Sequence, residues 1–298
     1  MESRKVVFAL VALVSFLPRP LHAQPAHPCG LLTAEFPQPG NNLYSIEDDI
    51  GLGRERLAGI EMGLSMRLYR PMQVYQQKEV SEYVDGLLKR ILAEAPGYTN
   101  QFTYRVYFYD EITPNAQAVA GGYIAMSLGM IINAPSDDYL AFVLTHEIGH
   151  AALRHPTRMA TLEQLYIVED RLLYEKLKPL AIPPLSDFER THIIALKEET
   201  WSRAKLLDRD EAAHELEADH FSAIVGVRAG FNPKGIIAKL QEQGRGQERG
   251  WIDTERSPNG FLRSLMYACQ PQEITRPERI SPELLTAKEI AEKLLTKR

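Results

Sequence analysis

This chain has few cysteines and no excess of basic residues. Among 298 residues there are two cysteines, Cys29 and Cys269, and neither has a partner at metal-ligand spacing. This excludes a cysteine-ligated zinc site and leaves at most one disulfide, which would join the two if the chain is exported. The formal net charge of −5 gives no electrostatic reason to expect a nucleic acid as partner.

Long apolar runs are equally rare, and the pronounced example lies at the N-terminus. Residues 6–17 form this run, two basic residues precede it, and Leu21-His22-Ala23 follows it. The pattern is typical of a signal peptide over residues 1–23 and predicts export, with the periplasm as the expected location. The run is shorter than the roughly 20 residues that span a bilayer. Because Leu21 is a poor residue two places before the cut, an N-terminal membrane anchor is the alternative.

The rest of the chain predicts an α+β fold that is mostly helical, with a small sheet beside the helix that carries the chemistry. An extended leader over 24–44 precedes one large domain over 45–270 and a helical extension over 271–298. Apolar spacing and capping residues predict the helices, and alternation predicts the strands. The helices are expected over 46–69, 78–95, 136–153, 158–178, 187–207 and 210–229, briefly after Asn232-Pro233 and again after Ser281, and the strands over 102–108 and 119–127.

A histidine pair in the predicted helix 136–153 carries the strongest chemical signal. The segment His146-Glu147-Ile148-Gly149-His150 places two imidazoles four residues apart on one helix face, where they can share a zinc ion. The helix around them is apolar, and buried histidines need a partner, either a metal or ordinary hydrogen bonds. Glu147 follows the first ligand, so we predict that it is the general base that takes a proton from zinc-bound water.

A catalytic zinc needs a third protein ligand, and the predicted helix 210–229 offers candidates. Glu215 and Asp219 share a face of this helix. Glu215 can bind the metal, while Asp219 can accept the second N–H of a ligand histidine. His214 and His220 are rival ligands. Glu217 points about 200° away from Glu215 and is expected to be solvated.

Three motifs together resemble the CAAX prenyl endopeptidase family, which includes HtpX-type and BepA-type proteases. The segment 141–150, followed by Arg154-His155, is similar to the zinc helix of that family. The segments 215–219 and 229–233 resemble its third-ligand helix and the turn after it. The part before the zinc helix, over 115–131, and the acidic start of the first helix also match.

The resemblance implies a gluzincin fold with one zinc per chain, in which Glu215 is the third ligand and Glu147 is the base. It also implies a substrate-binding edge. An extended peptide would pair with the strand over 119–127, because an edge strand binds any peptide backbone through main-chain hydrogen bonds. The residues of this strand that we expect to contact the substrate are Gly121, Gly122, Tyr123 and Ile124.

The sequence also departs from the family pattern. Members often carry a His-Pro pair with an arginine six residues past the histidine, and here Ser257-Pro258 and Arg263 stand at that spacing. A second, less favoured alignment uses Glu273 and Arg279 but lacks the adjacent proline. We expect Arg263 to stabilise the oxyanion of the reaction. Ser257 is a much weaker zinc ligand than histidine, so the fourth metal position should be more open. The membrane helices of the prenyl endopeptidases have no counterpart here, so prenylated substrates are not implied.

The combined prediction is a zinc-dependent endopeptidase that cleaves extended or misfolded exported proteins, a role in envelope quality control. Peptides are the expected substrates, and envelope or outer-membrane proteins are the expected partners. One alternative is a catalytically weak, chaperone-like scaffold of the same fold, and another is a zinc hydrolase that acts on other bonds. Glu147 favours the enzyme, because a scaffold has no need of a base.

Overall fold

The computed structural model describes residues 42–61, 74–75, 77–162, 213–238 and 277–296. These ranges contain every residue of the predicted metal site. Several predictions lie outside the described residues: the signal peptide over 1–23, most of the leader over 24–44, both cysteines, Ser257, Arg263 and the predicted helix over 187–207.

Helices dominate the described ranges, and four short strands form one sheet. The helices are α1 Ile46–Glu61, α2 Lys78–Leu92, α3 Pro96–Thr99, α4 Leu128–Asn133, α5 Asp137–Ala152, α6 over 155–162, α7 over 213–228, α8 over 234–238 and α9 Pro282–Thr296. The strands are β1 Val74–Tyr75, β2 Arg105–Tyr109, β3 Ala116–Ala120 and β4 Tyr123–Ser127. The predicted α+β class, mostly helical with a small sheet, is confirmed.

The sheet has the order β1-β2-β4-β3, which places β3 at one edge. Strand β4 lies inside the sheet, parallel to β2 and antiparallel to β3. The prediction of a single strand over 119–127 is therefore wrong. Gly121 and Gly122, at φ +61° and +82°, form a two-residue hairpin turn between β3 and β4, and such turns require positive φ at both central residues.

The predicted substrate contacts on that strand are corrected with it. Tyr123 and Ile124 belong to β4, whose backbone pairs with a neighbour on each side, so they offer no edge to a peptide. The two glycines lie against other parts of the chain. A Cβ on Gly121 would lie 2.5 Å from the Ile50 Cα atom. The edge on this side of the sheet is β3.

Helix α5 passes through the middle of the core and is buried on nearly all sides. It packs against α2 and β3, while α9 covers α2 and α4 with Leu284, Ala287 and Ala291. The predicted apolar stripe of α2 faces this core and includes Val80, Val84, Leu87, Leu88 and Ile91. Within the ranges that the structure describes, no helix combines the length and the apolar character needed to cross a membrane.

Capping residues fix where the central helices begin and end. The Ser136 hydroxyl accepts a hydrogen bond from the Tyr139 backbone N–H at 3.0 Å, and Ser281 caps α9 in the same way. After α7 the chain turns at Gly230, which has φ +78°, as expected for a glycine that ends a helix. Helices α3 and α4 and strand β1 are too short to give a periodic signal in the sequence.

Candidate metal centre

The two histidines of α5 and one carboxylate of α7 converge on a single point. The Nε2 atoms of His146 and His150 lie 3.0 Å apart. The Glu215 carboxylate reaches both, with its Oε2 3.4 Å from His146 Nε2 and its Oε1 3.2 Å from His150 Nε2. Among the described residues, these three form the group whose ligand atoms could hold one metal ion.

Close packing of α5 against α7 brings the carboxylate to the histidines. Gly149 of α5 faces α7, and a Cβ there would lie 3.2 Å from the Phe221 side chain and 3.3 Å from the Ala218 Cα atom. Gly226 of α7 faces the Phe142 ring, and a Cβ on Gly226 would lie 2.5 Å from the Cε1 atom of that ring. Because neither position carries a side chain, α7 lies close to α5 at Gly149, and the Phe142 ring of α5 fits against Gly226.

The donor set suits zinc. Two imidazole nitrogens and one carboxylate oxygen are a typical catalytic zinc set, which leaves a further position open. Burial alone would raise the pKa of Glu215, but hydrogen bonds with His146 and His150 outweigh burial and hold that pKa well below its usual range. The ligand atoms line a cleft of about 430 Å³, which leaves space beside the metal position.

Glu147 lies in the same cleft and contacts the edge strand. Its Oε2 atom accepts a hydrogen bond of 2.7 Å from the backbone N–H of Ala118 in β3. The residue is 9% exposed, and Ala116, Gln117 and Ala118 line the cleft beside it. One hydrogen bond therefore ties the predicted base to the strand that borders the metal site.

The Asp219 carboxylate contacts the ring nitrogen of His146 that points away from the metal group. The Asp219 Oδ1 atom lies 2.9 Å from His146 Nδ1, and both side chains are 8% exposed. A carboxylate at Nδ1 keeps the proton on that nitrogen and leaves the Nε2 lone pair for the metal. The structure thus places Asp219 where the sequence predicts it, one helical turn after Glu215.

His150 has a different outer partner, which the sequence did not predict. Its Nδ1 atom lies 3.0 Å from Nδ1 of His155, at the start of α6. The other nitrogen of His155 lies 2.9 Å from Glu217, and Arg158 donates to the same Glu217 oxygen at 2.8 Å. The prediction that Glu217 is solvated is wrong, because α6 covers the face of α7 that carries it.

Burial and hydrogen bonds set the charge of this outer group. Burial lowers the pKa of His155 to about 3, although the hydrogen bond with Glu217 acts to raise it. Burial would raise the pKa of Glu217, but hydrogen bonds with His155 and Arg158 lower it to about 2. His155 is therefore a neutral imidazole and Glu217 a carboxylate at neutral pH.

A left-handed residue turns the chain so that His155 can reach His150. Arg154 follows α5 with φ +60°, a conformation that costs a non-glycine residue about 1–2 kcal/mol. Its guanidinium donates to the buried Asp49 carboxylate at 2.7 Å and to the Tyr44 carbonyl at 2.5 Å. These bonds to the start of α1 hold the turn. The Arg154-His155 pair was visible in the sequence as part of the family motif. Helical spacing, however, gave no reason to expect that His155 contacts the outer nitrogen of His150.

The rival ligands lie outside the metal group. His214 stacks on His155, with ring centroids 4.3 Å apart, and burial lowers its pKa to about 4. His220 follows Asp219 on α7 and does not belong to the group that can hold a metal. Arg263 lies outside the described residues, so its role beside the metal stays a prediction.

Two curated proteins match parts of the chain. A putative beta-barrel assembly-enhancing protease of Vibrio cholerae is 36% identical over 94 residues, which are 31% of this chain and 19% of that protein. The mitochondrial metalloendopeptidase OMA1 of Arabidopsis thaliana is 24% identical over 177 residues, 58% of this chain and 33% of that protein. The chain therefore spans a third or less of the length of these relatives.

A family model extends the match over most of the described domain. The model for peptidase family M48 covers residues 76–282, which is more than half of the chain. The matched region includes both α5 histidines, Glu147, Glu215 and Asp219. The family resemblance predicted from the motifs is confirmed. The group of His146, His150 and Glu215, with Glu147 beside it, agrees with this match, and the chain belongs to peptidase family M48.

Proposed function

We propose that this protein is a zinc-dependent endopeptidase. One observation carries the proposal: Glu147 is held at the edge strand, beside two histidines and a carboxylate whose ligand atoms lie within 4.8 Å of one another. A buried carboxylate next to such a donor set is what peptide hydrolysis requires. A structural metal site needs no base and is usually closed by a fourth protein ligand.

The chemistry divides between the metal and the chain. Zinc, when bound, polarises the peptide carbonyl and lowers the pKa of water. Glu147 takes the proton from the attacking water and passes it to the leaving amine. The backbone N–H of Ala118 holds the Glu147 carboxylate in place for this transfer. Asp219 fixes the orientation of His146.

The edge strand β3 is the proposed substrate site. Ser127 N–H donates to the Asn115 carbonyl, so Asn115 and then Gln117 turn their backbone groups towards β4. Ala116 and Ala118 turn theirs away from the sheet, as the bond from Ala118 to Glu147 demonstrates. Because the Ala118 N–H is bonded to Glu147, an extended peptide can pair with the remaining outward groups, which are those of Ala116 and the Ala118 carbonyl. This pairing does not depend on the side chains of the peptide, which suits unfolded protein substrates.

Exported proteins are the proposed substrates, with envelope quality control as the role. The N-terminal pattern over residues 1–23 supports periplasmic location. The name of the Vibrio cholerae relative supports envelope or outer-membrane proteins as partners. Trapping of bound proteins from a periplasmic extract by a Glu147→Gln variant tests this role. Recovery of the same proteins with a His146→Ala variant would argue for the chaperone-like scaffold instead.

The central test separates the base from the metal ligands. We expect wild type to hold one zinc per chain and to cleave unfolded protein. Glu147→Gln should keep the zinc and lose about 10²–10⁴-fold in kcat, because it removes the base alone. His146→Ala should lose the zinc. Metal analysis that finds no zinc in wild type, or full cleavage by Glu147→Gln, would contradict the proposal.

A proline at Ala118 tests the contact between the base and the edge strand. Proline has no N–H, and this N–H does not bond to β4, so Ala118→Pro should leave the sheet intact. We expect a loss in kcat of up to about 10²-fold from a misplaced Glu147, with little change in KM. Ala118→Ser keeps the N–H and serves as the matched control. A proline variant with the kcat of wild type would show that the contact plays no part in turnover.

A further inference from the structure

The two histidines of the metal centre differ in what holds their outer nitrogens. His146 meets the Asp219 carboxylate directly, at 2.9 Å. His150 meets a second imidazole, His155, at 3.0 Å. A neutral imidazole carries one proton on either of its two nitrogens, so this second contact needs a defined tautomer on both rings to work.

Metal binding determines those tautomers. If Nε2 of His150 is to bind the metal, its proton must lie on Nδ1, from which it donates to His155. The Nδ1 atom of His155 must then be the acceptor, and its proton must lie on Nε2. That nitrogen lies 2.9 Å from the Glu217 carboxylate, which can only accept when ionised. Both hydrogen bonds are therefore donated in the same direction, from His150 to His155 and from His155 to Glu217.

Contacts around His155 and Glu217 keep these two hydrogen bonds in the same direction. Arg158 donates to the same Glu217 oxygen at 2.8 Å and supplies the charge that favours the carboxylate. His155 is 2% exposed, and His214 stacks on its face with an angle of 9° between the rings. The His155 ring is therefore fixed in position and has little freedom to exchange its partners.

We propose that His155, supported by Glu217, is a positioning residue that orients His150 for the metal. The inference rests on the zinc site proposed above. His155 does for His150 what Asp219 does for His146, but through one additional ring. Such partners typically change metal affinity 10–100-fold when they are removed, although they never touch the metal.

The experiment measures zinc affinity in the full chain by competition with a coloured chelator, so that it does not depend on activity. His155→Phe keeps a ring of similar shape but has no acceptor, and we expect it to bind zinc about 10–100-fold more weakly. His155→Asn places a carbonyl oxygen near the former Nδ1 atom, so it should restore most of the affinity. Thr161→Val is a buried change on the same helix, at a hydroxyl whose hydrogen bonds run to Asn42, Leu43 and Thr157, and it is the control that should bind zinc like wild type.

Two further measurements keep the outcome clear. Glu217→Met removes the final acceptor from a partly exposed side chain and should weaken zinc binding about tenfold, even if His155→Phe fails to fold. The absorption bands of the cobalt-substituted protein should shift in both variants and not in Thr161→Val. Equal zinc affinity and identical cobalt spectra in wild type, His155→Phe and Glu217→Met would overturn the inference while the zinc peptidase proposal stands. Absence of zinc binding in wild type would instead remove both.

Discussion

The two ends of helix α5 are held by different kinds of contact. At the N-terminal end, which we call the first end, carboxylates accept hydrogen bonds from backbone N–H groups of distant segments. Asp138 accepts from the Asn232 N–H at 2.9 Å and from the Arg279 N–H at 2.7 Å. The neighbouring Asp137 accepts from both the backbone and the hydroxyl of Ser281. This end ties the turn after α7 and the chain before α9 to the zinc helix.

At the C-terminal end, which we call the second end, side chains contact other side chains, apart from the bonds of Arg154 to the Tyr44 and Ser45 carbonyls. Arg154 pairs with the buried Asp49, and His155 lies against His150 and Glu217. Carboxylates suit the first end because they lie at the positive end of the helix dipole. The last turn of the helix, residues 149–152, carries no acidic residue, and the proposed metal ligands His146 and His150 lie in this half of the helix. One end therefore fixes where the helix lies, and the other fixes how its histidines point.

Loss of the arginine at the second end should produce the largest effect. Arg154→Ala leaves Asp49, whose side chain is 2% exposed, as a buried charge without its partner, which typically costs about 3–5 kcal/mol. Zinc affinity should fall as well, because the turn that presents His155 loses its anchor. Urea unfolding of the metal-free protein and chelator competition measure the two effects separately.

Arg154→Gly is the matched control for the strained backbone. Glycine adopts φ +60° without the steric cost of a side chain, so this variant should be about 1–2 kcal/mol more stable than Arg154→Ala. Equal stability of the two variants would show that the strain is negligible. If both keep the zinc affinity of wild type, the second end does not orient the histidines and the comparison fails.

A change at the first end should affect stability alone. Asp138→Ala leaves two backbone N–H groups without their acceptor, at a cost of about 2–5 kcal/mol in the free energy of unfolding. Asp138 lies about 12 Å along the helix from His146, so the zinc affinity of the folded variant should match that of wild type. Asp138→Asn, which retains one acceptor oxygen, should lose less. A weakened zinc site in the folded Asp138→Ala protein would show that the two ends are coupled.

The sequence predicted the side chains that the structure brings together at the candidate metal site, because they repeat at helical spacing. His146 and His150 are four residues apart, and so are Glu215 and Asp219, so each pair shares a helix face whatever else the chain does. It failed at Glu217, for which helical geometry gave the direction but not the neighbour. It also failed at Gly121 and Gly122, where the pattern of one long strand concealed a turn between two.

The sequence by itself determined the histidine pair that could bind zinc and the carboxylate that could act as a base, since both follow from residue type and local spacing. It left His214 and His220 as rivals of Glu215 for the third ligand. Only the tertiary structure decided that β3, and not β4, is the edge strand, because strand order depends on pairing between distant segments. It also decided that His155 lies behind His150. That placement needs a left-handed turn, and Asp49, about a hundred residues earlier in the chain, pairs with the arginine that makes it.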